Sequence, residues 1–126
     1  MTSVLNVDTI AAKDGTSPVA LTKQSAAKAW ANLNGTGEIA LRDSLNIDGV
    51  IDNSVGNYTF NFQNNMANSD WSAFLQADLD DTAGGIYNLN PDIHSSATGS
   101  YGVGTYTASN FGDLAFIRSG LFGDLA

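Results

Sequence analysis

Asn57-Tyr58-Thr59-Phe60-Asn61-Phe62-Gln63 alternates polar and apolar residues without a break, which puts Tyr58, Phe60 and Phe62 on one face of an extended strand. Shorter runs of the same period recur between clusters of Gly, Asn and Asp. Glu38-Ile39-Ala40-Leu41-Arg42 reads as a strand that follows a hairpin loop at Asn34-Gly35-Thr36-Gly37. Residues 45–51 read as a strand with a bulge at Gly49, followed by a turn over 52–56. Residues 71–77 and 101–107 are further strands, and 115–118 with 121–122 form a closing one. The acidic loop 78–85 and the Asn-, Pro- and Ser-rich stretch 86–99 read as irregular. Residues 22–33 read two ways: Ala26, Ala29, Trp30 and Leu33 fit a helix face, whereas period two opposes Ala29, Ala31 and Leu33 to Trp30 and Asn32. A helical or coil piece at 22–27 and a strand at 28–33 reconcile them. The pattern as a whole predicts an all-β protein, an antiparallel β-sandwich of jelly-roll type. Its core strand, bearing Tyr58, Phe60 and Phe62, is expected to pack against Ile39, Leu41, Phe74 or Phe116.

Composition agrees. Twelve of the 13 acidic residues are Asp, a turn and loop residue, and Glu38 is the only Glu. The 126 residues suffice for one core. Cysteine is absent, which removes disulfides, thiolate metal sites and cysteine nucleophiles. No run of about 18 apolar residues is present, as a membrane-spanning helix would need, and the first six residues lack the basic and apolar regions of a secretory leader. The net charge is −8, unevenly spread: Lys13, Lys23, Lys28 and Arg42 lie in the first third, and no Lys or Arg falls between Asp43 and Ile117. Such a surface repels phosphate, so neither nucleic acid nor an anionic membrane is an expected partner. Its simplest effects are solubility and mutual repulsion of crowded copies.

Residues 1–27 form an N-terminal arm rather than part of the sandwich, which occupies 28–126. Leu5-Asn6-Val7-Asp8-Thr9-Ile10 alternates, Lys13-Asp14-Gly15-Thr16 signals a turn, and Pro18 confines 17–21 to an edge or an arm. A unit this small cannot fold alone, so Leu5, Val7, Ile10, Val19 and Leu21, with Trp30, are expected to anchor the chain to a neighbouring copy or another protein.

Candidates for chemistry are few. His94 is the one histidine, and Asp92 and Ser95 are too close to it in sequence to form a catalytic relay. Asp78, Asp80 and Asp81 are a weak calcium candidate that lacks the remainder of an EF-hand loop. Gly35-Thr36-Gly37 and Gly102-Val103-Gly104 read as turns, not phosphate cradles. Tyr87, Tyr101 and Tyr106, with Trp71, sit among Gly, Ser and Asn and form a candidate exposed binding face, since such rings stack on sugars. No catalytic residue, metal or cofactor is expected. Phe111-Gly112-Asp113-Leu114-Ala115 recurs at the end as Phe122-Gly123-Asp124-Leu125-Ala126.

Leu21-Thr22-Lys23-Gln24-Ser25-Ala26-Ala27-Lys28-Ala29-Trp30 followed by Asn34-Gly35-Thr36-Gly37 resembles a segment of tail-fibre and other virion proteins of marine tailed bacteriophages. Ile39-Ala40-Leu41-Arg42-Asp43-Ser44, Asp52-Asn53-Ser54-Val55-Gly56-Asn57-Tyr58-Thr59 and the closing Phe122-Gly123-Asp124-Leu125 are similar to further words of that family. The resemblance is dense over residues 17–66 and sparse over 78–121. It implies a β-rich, trimeric, non-enzymatic protein of the particle surface, assembled in the host cytoplasm. The partners so implied are further copies of itself and the major capsid protein or a tail adaptor, with a host surface glycan as a further candidate. Two roles follow, a capsid decoration (cement) protein or a short tail fibre or receptor-binding knob. The lack of heptads or a β-helix period for a shaft favours decoration. A glycan-degrading enzyme is the third alternative, but no carboxylate pair stands out.

Overall fold

The computed structural model describes residues 26–79, 91–107 and 110–126. The expectations for Leu5, Val7, Ile10, Val19 and Leu21, and for Asp80, Asp81 and Tyr87, lie outside these residues. Within them the protein is all-β, and its strands pair antiparallel. Strands β1 (Ala29–Asn34), β2 (Ala40–Leu45), β5 (Ser72–Asp78) and β10 (Phe116–Phe122) form one sheet, ordered β2-β1-β10-β5. Strands β3 (Ile47–Ser54), β4 (Asn57–Phe62), β6 (Asp92–Ser96) and β7 (Ser100–Gly104) form the second, ordered β3-β4-β7-β6. A short ribbon pairs β8 (Tyr106–Thr107) with β9 (Asn110–Phe111). The first two sheets are called here the arm sheet and the acidic sheet. Hairpins β1–β2, β3–β4 and β6–β7 stay within one sheet, so the chain changes sheet less often than the winding of a jelly roll requires.

The sheets enclose one core. Strand β4 buries Tyr58, Phe60 and Phe62, as its alternation predicts, and β7 adds Tyr101 and Val103. Opposite them the arm sheet supplies mainly smaller groups: Ala29, Ala31, Leu33, Ala77, Ile117, Ser119 and Leu121. Phe60 stacks on Tyr101 with ring centroids 4.8 Å apart, and Phe62 and Trp71 meet the same ring from the side. Ile39 and Leu41 pack against the core as expected. Phe74 does not. Its neighbours Ala73 and Leu75 take the inward direction, and Phe74 points out with 73% of its surface exposed. Phe116 also faces outward, at the register of Asp78.

Two tyrosine hydroxyls reach across the core. That of Tyr101 lies 2.8 Å from Ser119 Oγ in the facing sheet. That of Tyr58 lies 2.8 Å from Asp113 Oδ1 and 3.1 Å from the Gly35 carbonyl. Asp113 also accepts from the Gly56 amide at 2.7 Å. Gly56 has φ of +63°, and a Cβ there would stand 2.5 Å from the Thr105 carbonyl, so only glycine fits this turn. The two copies of the Phe-Gly-Asp-Leu-Ala word close opposite ends of the sandwich. At one end Leu114 is fully buried and its carbonyl receives the Gly35 amide. At the other, Leu125 bridges Met66, and the Asp124 carbonyl receives the Ala67 amide.

Two departures from the sequence reading have local causes. Residues 45–51 are not one strand: the chain passes from β2 in one sheet to β3 in the other through Asn46, at φ of +57°. Asparagine tolerates this left-handed conformation, and its side chain clamps the corner by accepting from the Asn64 amide at 2.7 Å and donating to the Asn64 carbonyl at 3.0 Å. The expected bulge does fall between Ile47 and Gly49. Within 86–99, residues 92–96 are strand β6 rather than irregular chain. As an edge strand it turns only Ile93 toward the core, so it carries no alternation, and a bulge between Ile93 and Ser95 interrupts its period.

Replacing Phe60 by Ala should lower unfolding free energy by about 3–5 kcal/mol in urea titrations, whereas Phe74→Ala should stay within about 0.5 kcal/mol. Burial pushes the Tyr58 and Tyr101 hydroxyls well above the ordinary value of 10.0, and Asp113 adds to the shift at Tyr58. The folded state therefore favours their protonated form, and stability should be intact below pH 10 and fall as pH rises beyond it. Absorbance titration should show both phenols un-ionised until the chain unfolds.

Candidate functional site: the outer face of the arm sheet

Because Ala29, Ala31 and Leu33 face the core, the intervening Trp30 and Asn32 face outward, and the ladder aligns them with outward residues of the other strands. Trp30 pairs with Leu45 on one side and Gly120 on the other, and Gly120 pairs with Phe74. The result is an apolar row, Leu45–Trp30–Gly120–Phe74, across all four strands. Phe122 extends it, its ring edge-on to Phe74 at 5.9 Å. Leu45 is 47% exposed. Gly120 leaves a trough between the two large rings, which stand two strand spacings apart, roughly 10 Å. A Cβ at Gly120 would meet nothing closer than Phe122 Cε2 at 3.9 Å, so packing within the chain does not require glycine there. A hollow of about 340 Å³ opens beside it, against Phe74, Gln76 and Arg118.

A polar row, Asp43–Asn32–Arg118–Gln76, borders the apolar one. Next to it the guanidinium groups of Arg42 and Arg118 lie over the Phe116 ring, 4.1 and 4.5 Å from its centroid. Arg42 Nη1 donates to the carbonyls of Ala115 at 2.6 Å and Leu33 at 3.1 Å. Arg118 Nη1 holds Asp78 Oδ2 at 2.7 Å, and Gln76 donates to the same oxygen. These contacts fix two cations on a face that also presents bare apolar surface.

The charge asymmetry of the sequence becomes an asymmetry of sheets. Among the described residues the Lys and Arg side chains are Lys28, Arg42 and Arg118, all in or just before strands of the arm sheet. The strands of the acidic sheet carry Asp48, Asp52 and Asp92 and no Lys or Arg.

The residues singled out in the sequence are placed as follows. Trp30, expected in assembly, is central to the apolar row. Tyr101, expected on an exposed binding face, is fully buried, because β7 turns it inward opposite Phe60. Tyr106 is half-buried and stacks on Phe111 at 4.6 Å, and its hydroxyl donates to Asp92 at 3.3 Å. Trp71 is half-buried at the core margin, with Nε1 donating to the Ala97 carbonyl. His94 and Ser95 both lie over Gly102 at the β6 bulge, where a Cβ would stand about 2.5 Å from each. Asp78, the first member of the calcium candidate, is committed to Arg118. Among the described residues no group of three His, Cys, Asp or Glu side chains is arranged to hold a metal. The sequence reading missed Phe74, Gly120 and the two arginines. The signal was present as the alternation of 71–77, but alternation does not say which of its two faces is buried.

Comparison with protein-family models, curated proteins and solved structures returned no match for this chain.

Gly120→Ala should leave stability unchanged or raise it by up to about 1 kcal/mol in thermal unfolding, because the site has room and the unfolded chain loses freedom. The same substitution should weaken whatever contact the trough makes.

Proposed function

We propose that this chain is a non-catalytic structural protein of a bacteriophage particle surface, a capsid decoration protein held through residues 1–27 and the outer face of the arm sheet. It is a homotrimer in this reading. The observation that carries the proposal is the row Leu45–Trp30–Gly120–Phe74, an apolar strip crossing a whole sheet on its solvent side. Apolar strips of this kind mark protein–protein contacts. Trp30, the second residue of β1, lies within it, so the chain enters the sandwich through Lys28 and Ala29 beside the strip. Resemblance to virion proteins is dense over residues 17–66, which include Trp30 and Leu45 of the strip. The acidic sheet is then the face turned to solvent, where like charges on adjacent copies stay apart.

The alternative is a short tail fibre or receptor-binding knob. It is favoured by one observation, the stacked Tyr106–Phe111 pair beside Asp92, with Phe111 48% exposed. Such a platform suits a host surface glycan. Abundance in purified particles separates the two: hundreds of copies per particle place the protein on the capsid, a handful on the tail.

Light scattering at micromolar concentration should give three times the 13.2 kDa chain mass. Phe74→Asp should shift that equilibrium toward monomer and reduce co-sedimentation with particles lacking the protein. The double variant Asp48→Asn, Asp52→Asn should do neither. A 13.2 kDa species for the unaltered chain would overturn the trimer.

A further inference from the structure

Because Tyr58, Phe60 and Phe62 face the core, Asn57, Thr59 and Asn61 face outward, and the ladder sets Gly104, Gly102 and Ser100 of β7 beside them. The middle of the acidic sheet's outer face is therefore built from short side chains. Asn57, Gly104 and Asp92 form one row across β4, β7 and β6. The side chains of Tyr106 and Phe111 stand over Gly104. A Cβ there would lie 3.2 Å from the Tyr106 hydroxyl oxygen, 3.3 Å from Phe111 Cε1, and hard against Asp92 Oδ1. The missing side chain is what lets two rings and a carboxylate converge on the backbone. Tyr106 stacks on Phe111 at 4.6 Å, and its hydroxyl donates to Asp92 Oδ2 at 3.3 Å. Phe111 nevertheless keeps 48% of its surface exposed. On the other side of Gly104, Asn53 Nδ2 donates to Asn57 Oδ1 at 3.3 Å and to Thr59 Oγ1 at 2.9 Å. That contact orients the Asn57 carboxamide and leaves its Nδ2 to donate outward.

We propose that this platform binds a neutral sugar, with one ring stacked on Phe111 and its hydroxyls shared between Asp92 and Asn57. The inference rests on the platform named for the receptor-binding alternative and adds its ligand class. It holds for a capsid or a tail location, since it needs only that the acidic sheet face solvent. A pyranose has an apolar C–H face, which the electron-rich face of an aromatic ring attracts, and a rim of hydroxyls. Asp92 offers carboxylate oxygens to hydroxyl donors, and such charge-assisted bonds are stronger than neutral ones. Asp92 and Asn57 lie two strand spacings apart, roughly 10 Å. That span takes one sugar ring with a hydrogen bond of about 2.8 Å at each end. The ring stack, the Tyr106–Asp92 bond and the Asn53–Asn57 bond hold these groups in place before a ligand arrives, which lowers the ordering cost of binding. Charge narrows the class further. The strands of this sheet carry Asp48, Asp52 and Asp92 and no Lys or Arg, so a sialic, uronic or sulfated sugar would bring an anion against anions. A protein partner fits less well, because one ring is far less apolar surface than the roughly 800 Å² that a stable protein contact covers on each side.

The test passes the full-length chain over immobilised oligosaccharides. The neutral probes end in glucose, galactose, mannose or N-acetylglucosamine, and the anionic probes end in sialic or glucuronic acid. At least one neutral probe should retain the chain, and the anionic probes should give background only. Phe111→Ala should lower retention on that neutral probe roughly twofold to tenfold, the range for one lost aromatic contact. Phe111→Leu keeps apolar bulk on the β8–β9 ribbon but has no ring face, so it should lower retention as well, whereas Phe111→Tyr should preserve it. Asp92→Asn keeps the shape, removes the charge and should weaken retention. Phe74→Ala, on the arm sheet, should bind as the unaltered chain does. The proposal is overturned if no neutral probe is retained, if anionic probes are preferred, or if Phe111→Ala and Phe111→Leu bind at the unaltered level. Attachment is read separately, by co-sedimentation of Phe111→Ala with particles lacking the protein, which should match the unaltered chain. Lost sugar binding with intact co-sedimentation removes the platform and leaves the assembly reading standing. Sugar binding without co-sedimentation of the unaltered chain does the reverse.

Discussion

The structure depends on unequal division of the core. The acidic sheet supplies the bulk, as Tyr58, Phe60, Phe62 and Tyr101, and the arm sheet closes on it largely with alanine, serine and branched aliphatic side chains. Rings projecting from one side fill a layer roughly 10 Å thick. Phe60 and Tyr101 stack nearly parallel, with a 9° angle between ring planes, and so behave as one slab. The hydroxyls of Tyr58 and Tyr101 then reach polar partners at the far side of the core, so that neither is buried without a hydrogen bond.

That division explains why aromatic residues are free to serve outside. With the gap filled from one sheet, the arm sheet has no room inside for Trp30, Phe74, Phe116 or Phe122. All four face outward, and two of the sheet's cations settle over one of them. The arginines are tied to backbone carbonyls and to Asp78. Their heads therefore border the apolar row without closing it. A chain with so few charges could have hidden these rings under long polar side chains; here they stay accessible, with Asp43 and the Arg118-paired Asp78 beside them.

The ends and sides of the sandwich are handled differently. A repeated five-residue word plugs both ends, using leucine for burial and backbone groups for hydrogen bonds. One side is sealed by a single left-handed asparagine. Among the described residues the other ends in edge strands β5 and β6, above half-buried Ala73, Leu75 and Ile93.

Much of this was legible in the sequence. The period of Asn57–Phe62 decided the core strand, Gly49 marked the bulge in the neighbouring β3, and the preference for Asp, Asn and Gly over Glu decided that strands and turns would dominate. The class of architecture followed, because alternation is a local property that neighbouring residues impose on one another. Facing direction did not follow. Tyr101 and Phe74 each sit in an alternating run, yet one is fully buried and the other is the most exposed ring on the arm sheet. Strand β6 was invisible because it borrows its order from β7. Only tertiary structure could decide these points, since which face of a strand meets the core depends on the sheet lying opposite, and that sheet is assembled from residues distant in sequence.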